Sequence, residues 1–477
     1  MNIINNIESS NIYTKGKLKL SVKGIIYFFK ILLLTCIGEF FINTLKNNEI
    51  SYDVISKCGL ITITIIIIEY LIFFNYTKKN FSNYAIFMIS FIIFNFGLFL
   101  VFCIGGTYNF FYLKLYEKST ILKTMQYEFL CTGALFLSGA WISRIKSIRF
   151  KNINSISKYT IYKIAIFFLC ITGMVSFLLL ILKFKAFTIG YYDGVRKFET
   201  RIPSVISLME YLFMPFAILT LIYSEKAKTD KFVEMMVIIW SLITALLGDR
   251  TSGIAGILII MIIKMRFKSN EKKVLKKYII GILAIITSTF LIVFIKSFRE
   301  GIAFSTVGIL SIFSEVLGEL GSSFFPLTLI IRICPKKYSF LYGKSYIYSI
   351  LSGIIPASID PTGTISEWNS KSIEPLNWIS SEYNFTFGTG YSLCAEAYAN
   401  FGYCGFIALF VVGLIIIKLL AIDSNNIFSK YSSTILLFEF FTLPRRNVYY
   451  IFNHFFYCII IVSLIIFLLR KNKNINE

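Results

Sequence analysis

Apolar runs of about 18–22 residues recur along the whole chain, separated by short polar stretches. They lie near 24–44, 55–75, 84–104, 125–143, 162–182, 206–223, 232–248, 251–265, 278–296, 393–420, 431–443 and 447–469. Most are long enough to cross roughly 30 Å of hydrocarbon as a helix. Backbone polar groups in lipid must be bonded within the segment, so helices are expected, and the short alternating strands of a barrel are not found. The runs at 251–265 and 431–443 are short, and snorkelling Lys264 and Lys430 can extend them. The expected fold is all-α and polytopic, one membrane domain with about twelve transmembrane helices.

The polar stretches set an orientation. Lys15, Lys17, Lys19 and Lys23 precede the first run and place the N-terminus in the cytoplasm. Crossings then alternate with basic clusters at Lys78 and Lys79, at Arg144 to Lys151, at Lys226 to Lys231 and at Lys264 to Lys277. Arg470, Lys471 and Lys473 return the C-terminus to the cytoplasm. The opposite face then holds one long segment, 297–392, before the last three spans. Loops of that length are functional or disordered, and this one is rich in aromatic and apolar residues. Ser311, Ser314, Glu315, Gly318 and Glu319 fall three or four apart among apolar neighbours, an amphipathic helix over 306–320. The apolar piece 324–334 is too short to span and reads as re-entrant.

Composition agrees with a membrane location. The 477 residues are 56% hydrophobic and only 16% charged, against about 25% charged in soluble domains. The formal net charge of +22 sits in clusters between apolar runs, which excludes nucleic acid as the partner. Nine cysteines form no CxxC pair, most lie within apolar runs, and His454 alone makes no His-based zinc site. The polar, basic start carries no cleavable signal, so insertion is expected to begin with the first helix.

Candidate chemistry lies in charges on the outer side or within spans, where polar groups are costly and face the interior. Asp249 and Arg250 occupy a turn between Gly248 and Gly253. There Arg250 either grips anionic oxygens with its planar fork or pairs with Asp249 to cap a helix end. Arg196, Lys197, Glu199 and Arg201 follow Tyr191 and Tyr192 in the expected outer loop 184–205, against the orientation rule. Arg299 stands beyond the ninth run, and Arg445 and Arg446 share the last outer turn after Pro444. His454 faces the core or the site. Ser392, Glu396 and Asn400 share one helix face. Glu396 lies about a turn inside the membrane boundary, fit either for a general base or for holding an arginine. Outer loops carry no DxD or ExD, and arginines are the natural substitute for a metal in stabilising negative charge. Walker A, GxSxG and HExxH motifs do not occur.

Gly390-Tyr391-Ser392, continuing through Glu396-Ala397-Tyr398-Ala399-Asn400-Phe401-Gly402, resembles the signature of the Wzy-type O-antigen and capsular polysaccharide repeat-unit polymerases. Leu341 to Tyr346, Gly318 to Phe324, Gly248-Asp249-Arg250 and Pro444-Arg445-Arg446 are similar to that family's other segments, in order, over roughly 245–450. The first 180 residues match only in hydropathy. One departure is that no His stands near Tyr391 or Ser392, where related ligases carry one. The resemblance implies an integral membrane glycosyltransferase, akin to GT-C-like polymerases and ligases, in the bacterial cytoplasmic (inner) membrane with its site on the outer face. Its substrates are then undecaprenyl-pyrophosphate-linked glycans as donor and acceptor. A chain-length regulator and a flippase are then its partners, and no cofactor or metal is implied. Glu396 and Arg250 carry the implied catalytic roles. Arg196, Arg201, Arg299, Arg445, Arg446, Tyr391, Ser392 and Asn400 carry the binding roles. A lipid-linked glycan ligase and a lipid-linked oligosaccharide flippase or transporter are the alternative functions.

Overall fold

A computed structural model describes residues 20–46, 50–77, 82–103, 116–148, 156–199, 201–268, 314, 316–318, 320–355, 362–383, 390–422 and 426–473. The described residues are all-helical, with no strand among them. The helices are α1 (Val22–Lys46), α2 (Tyr52–Thr77), α3 (Asn83–Cys103), α4 (Lys118–Ser138), α5 (Lys158–Glu199), α6 (Ser204–Tyr211) and α7 (Phe213–Tyr223). Next come α8 (Ala227–Leu246), α9 (Arg250–Ile263), α10 (Phe324–Ile333), α11 (Lys344–Ile354), α12 (Thr364–Ser372) and α13 (Glu374–Tyr383). The chain closes with α14 (Leu393–Phe401), α15 (Gly405–Leu420), α16 (Ile427–Phe440), α17 (Tyr449–His454) and α18 (Val462–Lys473).

Eight described stretches are long and apolar enough to cross a membrane. Seven coincide with expected runs: α1, α2, α3, the α5 stretch Lys158–Ile189, α6 with α7, α14 with α15, and Tyr449–Leu469. The expected spans near 125–143, 232–248, 251–265 and 431–443 fall on α4, α8, α9 and α16, which do not reach spanning length and hydropathy. Charges at Lys228, Asp230, Lys231 and Glu234 shorten the apolar part of α8. Helix α4 is buried along almost its whole length and packs on α1, α2, α10 and α15. A helix surrounded by protein is not selected for a lipid-facing surface, so hydropathy understates it. The run at 278–296 lies outside the described residues.

The eighth stretch, Val316–Ile333, differs from the expected re-entrant piece. A 3-10 turn, Gly321–Ser323, joins α10 to the helical residues before it. Gly321 lies against Gly97 of α3: a Cβ on Gly321 would come within 2.2 Å of the Leu98 nitrogen. Such backbone approach needs glycine on both sides and is how membrane helices cross closely. The stretch is therefore built into the bundle and reaches spanning length.

The expected loop 184–205 is also corrected, because the chain stays helical to Glu199. Lys183 and Glu199 would lie roughly 24 Å apart on a straight helix, yet their charges meet at 3.0 Å. The chain therefore doubles back after Ile189, and Val195 packs on Leu180. Lys183 also binds Glu210 of α6 at 2.8 Å, which fastens the returning segment.

Two groups of helices share the core. In one, α1 to α4 pack with α10, α14 and α15; in the other, α5 packs on α7, and α8 on α9. Helix α16 touches α7, α9 and α15 and joins the groups. Asn83 locks one end of this joint: its amide donates to the carbonyls of Leu420 at 3.2 Å and Ser433 at 3.1 Å, and its oxygen accepts from Arg266. Outward positions such as Phe29, Leu33 and Phe40 on α1, and Met174 and Ile181 on α5, are exposed and apolar, a surface suited to lipid.

Candidate functional site

The arginine turn is the hub of the site. After α16 the chain makes a 3-10 turn, Leu443–Arg445, with Pro444 in its first positions, where a missing N–H has no partner to lose. Glu396, fully buried on α14, reaches across to it: Oε2 accepts the Val448 N–H at 2.7 Å. Its Oε1 accepts the Ser345 hydroxyl at 3.2 Å. Asn400, one turn further along α14, donates to Ser345 Oγ at 2.7 Å and accepts the Gly343 N–H at 3.0 Å. The amides of Leu341 and Tyr342 donate to the carbonyls of Ala399 and Asn400, each at 3.0 Å. Gly343, at φ +87°, supplies the left-handed residue that starts α11. Three segments distant in sequence, 341–345, 390–402 and 443–448, are thus tied together by hydrogen bonds. Glu396 holds this turn by its backbone, and not an arginine by its side chain.

Ser392 caps α14, accepting the Cys394 N–H at 3.2 Å. The buried Tyr391 donates its N–H to the Arg445 carbonyl at 3.4 Å. The Arg445 guanidinium lies 5.9 Å from the Phe94 ring centroid and against Gly390, where a Cβ would stand 3.5 Å from Nη2.

Arg446 points towards α9. Its guanidinium sits 4.4 Å over the Tyr450 ring, with Nη2 3.4 Å from Ser252 Oγ and 3.9 Å from Asp249. Asp249 caps α9 through the Ser252 N–H at 3.1 Å, the Ser252 hydroxyl at 2.6 Å and the Thr251 hydroxyl at 3.0 Å. The helix-cap reading of Asp249 is therefore observed, with Arg446 as its ion-pair partner. Crowding by protein pushes the Asp249 carboxyl up, but Arg446 and these hydrogen bonds outweigh it and hold the group below its ordinary value. The Asp249 side chain is 47% exposed and that of Arg446 24%, so the pair is open to a solute. Arg250 is the first residue of α9, directly after Asp249.

Behind Arg446 lies a buried group that single-residue reading missed. His454 Nδ1 is 3.3 Å from Glu439 Oε2, and Cys458 Sγ lies 3.7 Å from Oε1. The His454 ring stacks on Tyr211 at 5.4 Å and lies 5.4 Å from Tyr450. Among the described residues these three ligand atoms, within 4.8 Å of one another, are the group able to hold a metal ion. Arg446 is within electrostatic reach of Glu439, and a fixed cation there competes with a second one. In sequence, Glu439 sits alone in an apolar run, and only the fold brings His454 and Cys458 to it.

Three expected binding residues remain, Arg196, Arg201 and Arg299. Arg201 is exposed in a turn after α5, its N–H on the Phe198 carbonyl at 3.0 Å. Arg196 lies on the returning part of α5. Arg299 lies outside the described residues.

Fold and site together define an all-helical, multi-pass membrane protein with an arginine-bearing polar site braced by a buried carboxylate. The family described as O-antigen polysaccharide polymerase Wzy matches residues 22–474, nearly the whole chain, and the protein belongs to that family. Neither the curated proteins nor the solved structures gave a match.

Proposed function

We propose that this chain joins undecaprenyl-pyrophosphate-linked oligosaccharide repeat units into a surface polysaccharide at the outer face of the cytoplasmic membrane. The observation that carries the reading is the meeting of the signature helix α14, the 341–345 loop and the arginine turn, with the Asp249–Arg250 turn beside them. An acceptor sugar hydroxyl attacks the donor's anomeric carbon. The new glycosidic bond forms as the bond from that carbon to the pyrophosphate oxygen breaks, and the hydroxyl proton passes to the surroundings. Arg446, Arg445 and Arg250 bind the pyrophosphate and stabilise the charge growing on it. Arg196, Arg201 and Arg299 would add to the hold on the anionic lipid head. Glu396 is a positioning residue that sets the arginine turn through the Val448 amide.

The test is genetic and reads the glycan by size. Deleting the gene in its host should replace the ladder with single repeat units. Wild type should restore the ladder, while Arg446→Ala and Arg250→Ala, at normal protein level, should not. A full ladder from both variants would remove the arginines from the site. A full ladder left on free lipid carrier would make the protein a ligase, and lipid-linked units accumulating inside would make it a flippase.

A further inference from the structure

Helix α11 has its polarity inverted. Its buried positions are Ser345, Ser349, Ser352 and Gly353, while Ile347 is 57% exposed and Ile350, Leu351 and Ile354 between 37% and 39%. At roughly 1.5 Å per residue its eleven residues are too short to span a bilayer. An apolar stripe turned outward on such a helix belongs at the boundary of headgroups and acyl chains. Tyr342, 74% exposed, stands just before it at φ +48°. The hydrogen bond from its N–H to the Asn400 carbonyl, 3.0 Å, holds it in that conformation, which non-glycine residues rarely adopt. An exposed tyrosine followed by exposed Lys344 marks headgroup level, with the isoleucine stripe leading away from it.

We propose that this outward face of α11 seats the isoprenoid chain of the lipid-linked substrate, a reading that rests on the proposed pyrophosphate site at the arginine turn. Any membrane lipid can cover an apolar face. Two contacts single out the substrate's own chain. Gly353 packs directly on the first turn of α17, where a Cβ would meet Phe452 Cβ at 3.1 Å and the Tyr449 carbonyl at 3.2 Å. That turn begins three residues after Arg446, so a lipid head held by the arginines leaves its chain beside α11. At its other end α11 hangs by Ser345 from Glu396, the carboxylate that also holds the Val448 amide. One buried group therefore fixes both the hydrocarbon platform and the turn that grips the head. A chain lying on α11 is registered against the arginines.

The experiment uses purified full-length protein in liposomes. The donor is one oligosaccharide pyrophosphate carried either on a full-length polyprenyl chain or on a chain of two isoprene units. Ile347→Ser/Ile354→Ser should raise KM for the long-chain donor about tenfold or more. Its kcat should stay within about twofold of wild type, and its loss on the short-chain donor should be clearly smaller, because a short chain covers less of the stripe. Equal losses on both donors, or no loss on either, would overturn the proposal and leave the face to bulk lipid. If the double variant does not fold, a photo-reactive residue in place of Ile347 decides: cross-linking to the substrate's chain supports the proposal, and cross-linking to phospholipid alone overturns it. Wild-type protein that polymerises neither donor would instead sink the polymerase reading itself.

Discussion

Replacing Glu396 separates the two roles open to it. As a brace, its carboxylate accepts the Val448 N–H at 2.7 Å and the Ser345 hydroxyl at 3.2 Å, with Asn400 closing the network at 2.7 Å on Ser345. Glu396→Ala leaves the amide and the hydroxyl without an acceptor in a buried place, at about 1–3 kcal/mol each. An emptied volume adds to that. Glu396→Gln keeps one oxygen for the Val448 amide and turns its NH2 to Ser345, at about 1 kcal/mol. A shift of the arginine turn by about 1 Å is enough to lower the rate about a hundredfold. The brace therefore predicts polymerisation within about tenfold of wild type for Glu396→Gln and a loss of a hundredfold or more for Glu396→Ala. A general base predicts losses of about 10²–10⁴-fold for both. Val448→Pro completes the set. Val448 lies at φ −61°, which proline accepts, so the change removes the N–H and leaves the carboxylate in place. Initial rates with purified protein and lipid-linked repeat units, alongside thermal unfolding in detergent, read all three. Glu396→Gln as inactive as Glu396→Ala at wild-type Tm, with Val448→Pro active, would refute the brace and make Glu396 the base.

Three further outcomes test the frame around the site. Gly321→Val should collapse the crossing of α3 with the 316–333 stretch, since even a Cβ would stand 2.2 Å from the Leu98 nitrogen; a wild-type elution profile and Tm would contradict that. Asn83→Ala removes a buried amide bonded to Leu420, Ser433 and Arg266. It should cost about 2–4 kcal/mol of stability, read as a lower Tm, without changing the substrate's KM. Asp249 has its carboxyl held below the ordinary value, so its contribution is present above about pH 4 and is lost as pH falls through the folded-state value. Asp249→Asn keeps the helix cap, so its Tm should lie below wild type at neutral pH and converge with it in acid. A gap that does not change with pH would remove the Asp249–Arg446 pair from the account.

Lipid-facing helices were legible because hydropathy reports the surface a helix shows to its solvent. Thus α1 and α2 appear in the sequence close to their structural limits. Helix α4 was harder, because protein covers it and its surface need not be apolar. The 316–333 stretch was read as two pieces, an amphipathic helix to 320 and an apolar piece from 324, with Gly321, Ser322 and Ser323 between them. In the fold those small residues are where α3 comes close enough for backbone to meet backbone. The fold-back after Ile189 was invisible for a different reason. Lys183, Glu199 and Glu210 look like surface charges until one ammonium is seen to serve two carboxylates.

The same limit governs the site. Sequence spacing put Ser392, Glu396 and Asn400 on one face, which a single helix can show. It could not show that Glu396 faces Val448, 52 residues away, or that Asp249 pairs with Arg446. The 341–345 loop stood out by family resemblance alone, without a contact to explain it, and its glycine, tyrosine and serine each bond to α14. A carboxylate buried beside two arginines suggests an ion pair, but here its partners are an amide and a hydroxyl. Arg446 meets the partly exposed carboxylate of Asp249 at 3.9 Å, with Glu439 within electrostatic reach. A guanidinium so loosely paired keeps most of its donors for an incoming anion. That is what a pyrophosphate-binding arginine requires, and a tight Glu396–arginine pair would have removed it.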